Sequence, residues 1–220
     1  MPNILITGAA SGIGLSLTKL FLTKHFNVFA TVRHPSPELI ETDAHIINNI
    51  NLENADSISS LSKHLTNIKL DILINCAGIL TNESLPDLHF DRLLTQFNVN
   101  ALGPLRITQQ LLPHLKDGSK IAMITSRMGS IEDNTSGSRY GYRMAKAALN
   151  AASKSLAIDL KPRGIAVAII HPGLVSTKMI GFNGDITPAI AANRIYHRID
   201  ALNITNSGTF WHSDGSILPW

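Results

Sequence analysis

The sequence predicts an α/β chain built on a doubly wound parallel sheet with helices on both faces. Short apolar runs of the buried-strand kind alternate with longer stretches of helical spacing, an order that requires a parallel sheet covered on both sides. A glycine-rich turn joins the first apolar run to the first helical stretch. No repeat, charge block or composition shift interrupts the 220 residues, so residues 1–220 are expected to form a single domain.

The first strand is expected at Asn3 to Thr7, around Ile4-Leu5-Ile6. Ile13, Leu17, Leu20 and Phe21 then recur at i, i+4, i+7 and i+8, which predicts an amphipathic helix over about 12 to 25. Further strands are expected at Asn27 to Val32, His45 to Asn48, Ile72 to Asn75, Lys120 to Thr125 and Ala166 to His171. Between them, Ile58, Leu61 and Leu65 mark a helix over 55–66, and longer helices are expected at about 87–115 and 138–160. Pro162 and Gly164 stop the latter, and Thr187-Pro188 starts another helix. Right-handed crossovers in such a chain place ligands beyond the carboxyl ends of the strands.

Composition excludes several classes of function. With 44% hydrophobic and 16% charged residues the chain has the apolar surface to fold. No apolar run approaches the ~18 to 20 residues that cross a bilayer. Met1-Pro2-Asn3 leads into the first strand without a basic leader, so the expectation is a cytoplasmic protein with no membrane partner. Cys76 is the only cysteine and the nine histidines form no close pair, so neither an internal disulfide nor a metal site is expected. The net charge of +3 comes from 19 basic residues against 16 acidic, and the cations are spread along the chain, which argues against a nucleic-acid partner.

Thr7-Gly8-Ala9-Ala10-Ser11-Gly12-Ile13-Gly14 lies between the first strand and the first helix. A pyrophosphate there would meet free backbone N–H groups and the positive end of a helix dipole. Gly8 permits the sharp exit from the strand, Gly12 lets the backbone approach phosphates, and Gly14 lets helix and sheet pack closely. The strand before the turn and the helix after it favour this reading over a tight turn that happens to be glycine-rich.

The spacing Gly-x-x-x-Gly-x-Gly resembles that of the short-chain dehydrogenase/reductase family, and further motifs follow in that family's order. Asn75-Cys76-Ala77-Gly78 stands for its Asn-Asn-Ala-Gly, and Asn98-Val99-Asn100-Ala101-Leu102-Gly103 for its Asn-Val-x-x-Gly. Tyr142-Arg143-Met144-Ala145-Lys146 matches its Tyr-x-x-x-Lys, and Pro172-Gly173-Leu174-Val175-Ser176-Thr177 its Pro-Gly-x-Val-x-Thr. The tail from Gly208 to Trp220 is similar to that of a small carbonyl-reductase branch related to C-factor-type proteins. The resemblance implies a Rossmann-type fold and hydride transfer between a nicotinamide cofactor and a carbonyl or alcohol substrate. It implies cofactor contacts from Gly8, Ser11, Gly12, Ile13 and Gly14 in the turn, from Asn75, Ala77 and Gly78, from Tyr142 and Lys146, and from Pro172, Gly173, Val175 and Thr177. It also implies a homodimer or homotetramer.

Cofactor choice is expected at the end of the second strand, where a carboxylate would accept hydrogen bonds from a ribose and repel a 2'-phosphate. Ala30-Thr31-Val32-Arg33-His34 has no carboxylate, and Arg33 can make a charge-assisted contact with phosphate, which favours NADP(H) over NAD(H) unless Arg33 is simply a solvated loop residue. Asn51-Leu52 occupies the place where similar proteins have an aspartate facing the adenine amino group, and the Asn51 carbonyl can still accept that bond.

Tyr142 and Lys146 are four residues apart on an expected helix, so their heads can act on one small volume. Lowering a phenol pKa from about 10 to about 7 requires about 4 kcal/mol, which a lysine ammonium ~4 Å away can supply. Tyr140 has Met144 at i+4 and is read as a pocket or packing aromatic. Ser126 follows the fifth strand and has Gly129 three residues later, as in the family, which makes it the candidate donor to a carbonyl oxygen, with Ser130 as its rival. Asn100 completes the family's tetrad through its backbone carbonyl, a role to which its side chain is indifferent. Cys76 is read as a small buried residue, and Trp211 and Trp220 as packing or oligomer contacts. The segment at about 178–187, with Gly181, Asn183 and Gly184, is expected to be a short, flexible substrate loop that leaves the site open to bulky carbonyls. A cofactor-binding signalling protein with little turnover is the alternative, supported by the C-factor-like tail.

Overall fold

The computed structural model describes all 220 residues. Seven strands, β1 (Asn3–Thr7), β2 (Asn27–Thr31), β3 (His45–Ile47), β4 (Leu70–Asn75), β5 (Leu115–Ile124), β6 (Ala166–His171) and β7 (Phe210–His212), form one sheet in the order β3-β2-β1-β4-β5-β6-β7. Every pairing is parallel. The helices are α1 (Gly12–Thr23), α2 (Pro37–Ile40), α3 (Ala55–Ser59), α4 (Leu61–His64), α5 (Phe90–Phe97), α6 (Gly103–Leu111), α7 (Tyr140–Asp159) and α8 (Pro188–Asp200).

Side-chain alternation builds a core on each face of this sheet. Leu5, Leu73, Ile121 and Val167 share one core with Ile107 and Leu111 of α6 and Leu149 of α7. Ile4, Ile6, Ile74 and Ile170 share the other with Leu17 and Phe21 of α1 and Ile195 and Ile199 of α8. The register pairs Ile4 with Ile72 and Leu5 with Leu73, so each apolar residue of β1 stands beside one facing the same side. Strand order reverses between β1 and β4, and their carboxyl ends part to leave a crevice.

Several elements differ from the sequence expectation. The helix expected over 55–66 is two short helices, α3 and α4, because Ser59 and Ser60 turn their hydroxyls onto the carbonyls of Asp56 and Ser57 and compete with the helical ladder. The helix expected over 87–115 is interrupted by a π-helical turn at Asn98–Leu102 between α5 and α6. Pro104 has no N–H to offer the carbonyl four residues before it, that of Asn100, so the regular ladder cannot run through this point. β5 begins at Leu115, across a charged stretch that includes Lys116 and Asp117. β7 and α2 carry too little periodicity to be legible. No helix is long and apolar enough to cross a membrane.

β7 adds a small core of its own, in which Phe210, 1% exposed, packs with Ile169 and Leu218, and its ring lies 5.4 Å from that of Trp220. Phe210→Ala is expected to cost about 3 to 5 kcal/mol in urea unfolding. A loss below about 1 kcal/mol would mean that the tail is only draped on the sheet.

Candidate active site

A cleft of about 680 Å³ opens where the strand order reverses, lined by the turn after β1, the end of β2 and the segment after β4. The turn folds tightly upon its surroundings. A Cβ on Gly14 would stand 2.2 Å from the Gly8 carbonyl oxygen, and one on Gly8, whose φ is +71°, would stand 2.7 Å from Ala77 Cα. Ser11 enters α1 in extended conformation and its side chain makes no capping bond. The N–H groups of Gly12, Ile13 and Gly14 donate to nothing in the chain. Uncapped donors at the positive end of a twelve-residue helix, in a turn where Gly8, Gly12 and Gly14 carry no side chain, fit the diphosphate of a dinucleotide.

Around this turn the expected cofactor residues divide. Arg33 lines the cleft, is exposed, and pairs with no carboxylate. Asn51 and Leu52 line it too, but Asn51 Oδ1 already accepts the Glu53 N–H at 3.1 Å, and Leu52 is buried against Gly103, where a Cβ would come within 2.9 Å of it. Ala77, Gly78 and Thr177 are at the cleft wall. Asn75 is not: it is 2% exposed, and its amide donates to Thr108 Oγ1 and Met123 Sδ behind the sheet edge. The residue after it, Cys76, lines the cleft instead. Pro172, Gly173 and Val175 also stand back from this cleft, with Pro172 and Val175 buried. Sequence reasoning missed His34, Lys178, Met179 and Phe182, which line it from exposed positions that no periodicity marks.

The segment expected to be a flexible loop is tied down. Val175 and Ile186 form a parallel bridge, the Ser176 N–H donates to the Ile186 carbonyl at 2.8 Å, and Ser176 Oγ donates to the Phe182 carbonyl at 2.7 Å. Gly184 lies so close to this backbone that a Cβ would fall 2.2 Å from Ser176 N. Gly184 serves close approach and Gly181, at φ +62°, ends the 3₁₀ turn Lys178–Ile180, so neither marks looseness.

The catalytic candidates converge beside the cleft. Ser126 follows the end of β5 by two residues and caps the 3₁₀ turn Arg127–Gly129, its Oγ accepting the Met128 N–H at 3.1 Å. Gly129 presses that turn onto α7, since a Cβ there would sit 2.7 Å from the Lys146 carbonyl carbon. Ser126 is thereby held near Tyr142, close enough for its hydroxyl to bear on the ionisation of the phenol. Ser130 takes no part: its Oγ donates to the Trp220 carbonyl and accepts the Asp133 N–H, pinning the tail. Lys146, 3% exposed, donates to the Ile124 carbonyl at 2.9 Å, and its Nζ lies 5.7 Å from the centre of the Tyr142 ring. Asn100 lies in the π-turn, and its side chain is far from indifferent: it accepts the Ile79 N–H at 2.9 Å and donates to the Ile79 carbonyl at 2.8 Å, holding the segment after β4 in place.

The electrostatics depart from expectation. Burial pushes the Tyr142 phenol up to about 12, the Ser126 hydroxyl and Arg139 pull it back, and Lys146 is not among the groups that lower it. Burial pushes Lys146 down to about 8. Cys76 is pushed up to about 12, also by burial, which keeps its thiol inert. His171, at the end of β6, is held down at about 3 by burial and then by His212 and Arg127.

Comparison with known proteins places the chain among enzymes of one kind. Residues 2–185 match the family described as short chain dehydrogenase. The chain is 33% identical over 226 residues, covering all of both chains, to 1-hydroxy-2-glutathionyl-2-methyl-3-butene dehydrogenase of Rhodococcus sp. (strain AD45). It is 41% identical over 154 residues to C-signal of Myxococcus xanthus, covering 69% of this chain and 93% of that protein. Among solved structures, carbonyl reductase Sniffer of D. melanogaster superposes with a TM-score of 0.93 at 31% identity, covering all of both chains. The NADPH-bound carbonyl reductase from chicken fatty liver superposes at 0.91 with 27% identity, covering 100% of this chain and 99% of that one.

Three of the shifted groups imply a pH dependence of stability. Above pH 8 the unfolded chain keeps a proton that folded Lys146 gives up, so stability is expected to rise with pH from 8 to 9, by at most about 1.4 kcal/mol per unit, from a penalty fully present below pH 8. Above pH 9 Cys76, and above pH 10 Tyr142, act oppositely, because the unfolded groups ionise while the folded ones hold their protons to about 12. Urea unfolding of Lys146→Met across pH 7 to 10 should lack the rise; an unchanged slope would place its origin elsewhere.

Proposed function

The chain belongs to the short-chain dehydrogenase family, and from that premise we propose that it reduces ketones or aldehydes with NADPH, Tyr142 being the proton donor. The convergence of Ser126, Tyr142 and Lys146 beside a glycine cradle carries the reading. The bare N–H groups of Gly12, Ile13 and Gly14 hold the diphosphate, and unpaired Arg33 takes the 2'-phosphate.

A bound nicotinamide supplies the hydride. The Ser126 hydroxyl, its oxygen already anchored by the Met128 N–H, donates to the carbonyl oxygen and fixes it where negative charge will grow. Tyr142 delivers its phenolic proton to the same oxygen. Burial keeps the phenol protonated at neutral pH, the state from which a proton donor must start. The Lys146 ammonium, held by Ile124, keeps donors free to grip the nicotinamide ribose. The Asn100 carbonyl, released from its i+4 partner by Pro104, accepts a water that reprotonates this pair.

Exposed Phe90 and Leu94 on α5 and Met144 and Ile158 on α7 support a homodimer or homotetramer, and a cytoplasmic location belongs to the same reading. The identity with C-signal supports a second reading, a signalling protein for which turnover is incidental.

NADPH consumption with a panel of ketones and aldehydes separates the two. Tyr142→Phe is expected to lower kcat by about 10³-fold and Ser126→Ala by about 10²-fold. Full activity in Tyr142→Phe would remove the tyrosine from the mechanism. Arg33→Glu should raise KM for NADPH about tenfold or more while sparing NADH, and equal effects on both nucleotides would defeat the 2'-phosphate assignment.

A further inference from the structure

Arg139 is the cation at the mouth of this site that no acidic group of the chain satisfies. It precedes α7 by one residue and closes a run of left-handed backbone, Gly137 at φ +62°, Ser138 at +53° and Arg139 itself at +52°. Two consecutive side-chain-bearing residues in that region are strained, and such strain persists only where the surroundings enforce it.

Those surroundings are well defined. The Arg139 N–H donates to the Glu83 carbonyl at 2.7 Å. Glu83 is 2% exposed, and its Oε1 is bonded by the Thr81 hydroxyl and by Gln96 Nε2. Gln96 in turn fills the space beside Gly141, where a Cβ would stand 2.3 Å from its Nε2. Arg143 stitches the loop from the other side, its guanidinium donating to the carbonyls of Gly137 and Ser138 and to Ser136 Oγ. One arginine is therefore consumed in holding the loop while the other is presented by it.

The presented guanidinium is held only by neutral groups. Nε donates to Asn82 Oδ1 at 3.1 Å, and Nη1 meets Met128 Sδ at 3.8 Å. Its remaining N–H groups donate to nothing in the chain, and no carboxylate lies within ion-pair distance, whereas the neighbouring Arg127 is paired with Asp133 at 2.8 Å. Asn82 lies in the segment after β4 and Met128 in the turn after β5, so the guanidinium bridges these two segments. Met128 is the residue whose N–H anchors Ser126, and the Arg139 charge is felt at the Tyr142 phenol.

We propose that Arg139 is a specificity-determining residue that recognises a carboxylate on the carbonyl substrate, so that the preferred substrates are keto or aldehydo acids. This inference rests on the reductase reading above. A planar fork with free donors matches a carboxylate bidentately, and its rigid base places that carboxylate at a fixed distance from the reacting carbonyl.

Matched substrates test it, a set of aryl keto acids of increasing chain length and their methyl esters, assayed with NADPH. The wild-type protein is expected to prefer the best acid over its ester by about tenfold or more in kcat/KM, mainly through KM. Arg139→Asn removes the charge with the side chain that best tolerates left-handed backbone. Loss of the Arg139 charge at Tyr142 slows both forms, but the acid-to-ester ratio should collapse toward one, and Arg139→Lys should restore part of it. In a parallel measurement without turnover, the corresponding saturated acids should raise the Tm of the wild-type protein and not that of Arg139→Asn. Esters reduced as well as acids, or a ratio unmoved by Arg139→Asn, overturns the inference and leaves the reductase standing. No reduction of either form overturns both.

Discussion

The arrangement of this molecule depends on how closely two strand ends can approach. β1 and β4 are neighbours in the sheet but their chains depart in opposite directions, and the cleft exists because the turn after β1 folds back against the segment after β4. That contact is made by absent side chains: Gly8 against Ala77, and Gly14 against Gly8 itself. The Thr7 hydroxyl locks it, accepting the N–H groups of Cys76 and Ala77 at 3.0 and 3.1 Å. A methyl group at either glycine would push the turn from the sheet, and with it the N–H groups of α1 that make a phosphate site.

The chemistry beside this cleft depends on a second close approach. Gly129 lets the turn after β5 sit on α7 at Lys146, and this brings the Ser126 hydroxyl to Tyr142. The ammonium is drawn to the Ile124 carbonyl, so the phenol retains its proton under the influence of burial. A spacing of four residues puts a lysine and a tyrosine on one helix face but does not decide where the lysine head turns. Here the end of β5 competes for it, and the Ile124 carbonyl holds the lysine head 5.7 Å from the centre of the Tyr142 ring.

Much of this was legible in the sequence because it is repeated in several physical signals at once. The strands β1, β2, β4 and β6 are unbroken apolar runs between turn residues, and the glycine turn sits where strand gives way to helix, so fold and cradle could be read together. What escaped lacked such redundancy. β7 is three residues long, and its pairing with β6 comes from a chain segment about forty residues away. Asn75 belongs to a family motif, yet the alternation of β4 turns its side chain from the cleft toward Thr108, and a motif does not report the face. The glycines at 181 and 184 suggested looseness because composition records the freedom of a glycine but not its use, a left-handed turn end at 181 and a backbone contact at 184.

The substrate side was the least legible part, and the reason is physical. The nucleotide side is built from backbone, whose demands on sequence are severe and few. The other side is built from side chains on the loops after β4 and β5 and on the helices α5 and α7 that follow them, where Glu83, Gln96, Arg139 and Arg143 are four polar residues scattered over some sixty positions. Only the folded chain reveals that three of them form a frame and that the fourth is what the frame holds out. A buried carboxylate, a strained turn and a guanidinium without an acidic partner are each costly alone. Together they form one device, because each is held in place by the others, and it sets the Arg139 guanidinium against Met128, the residue whose N–H anchors Ser126.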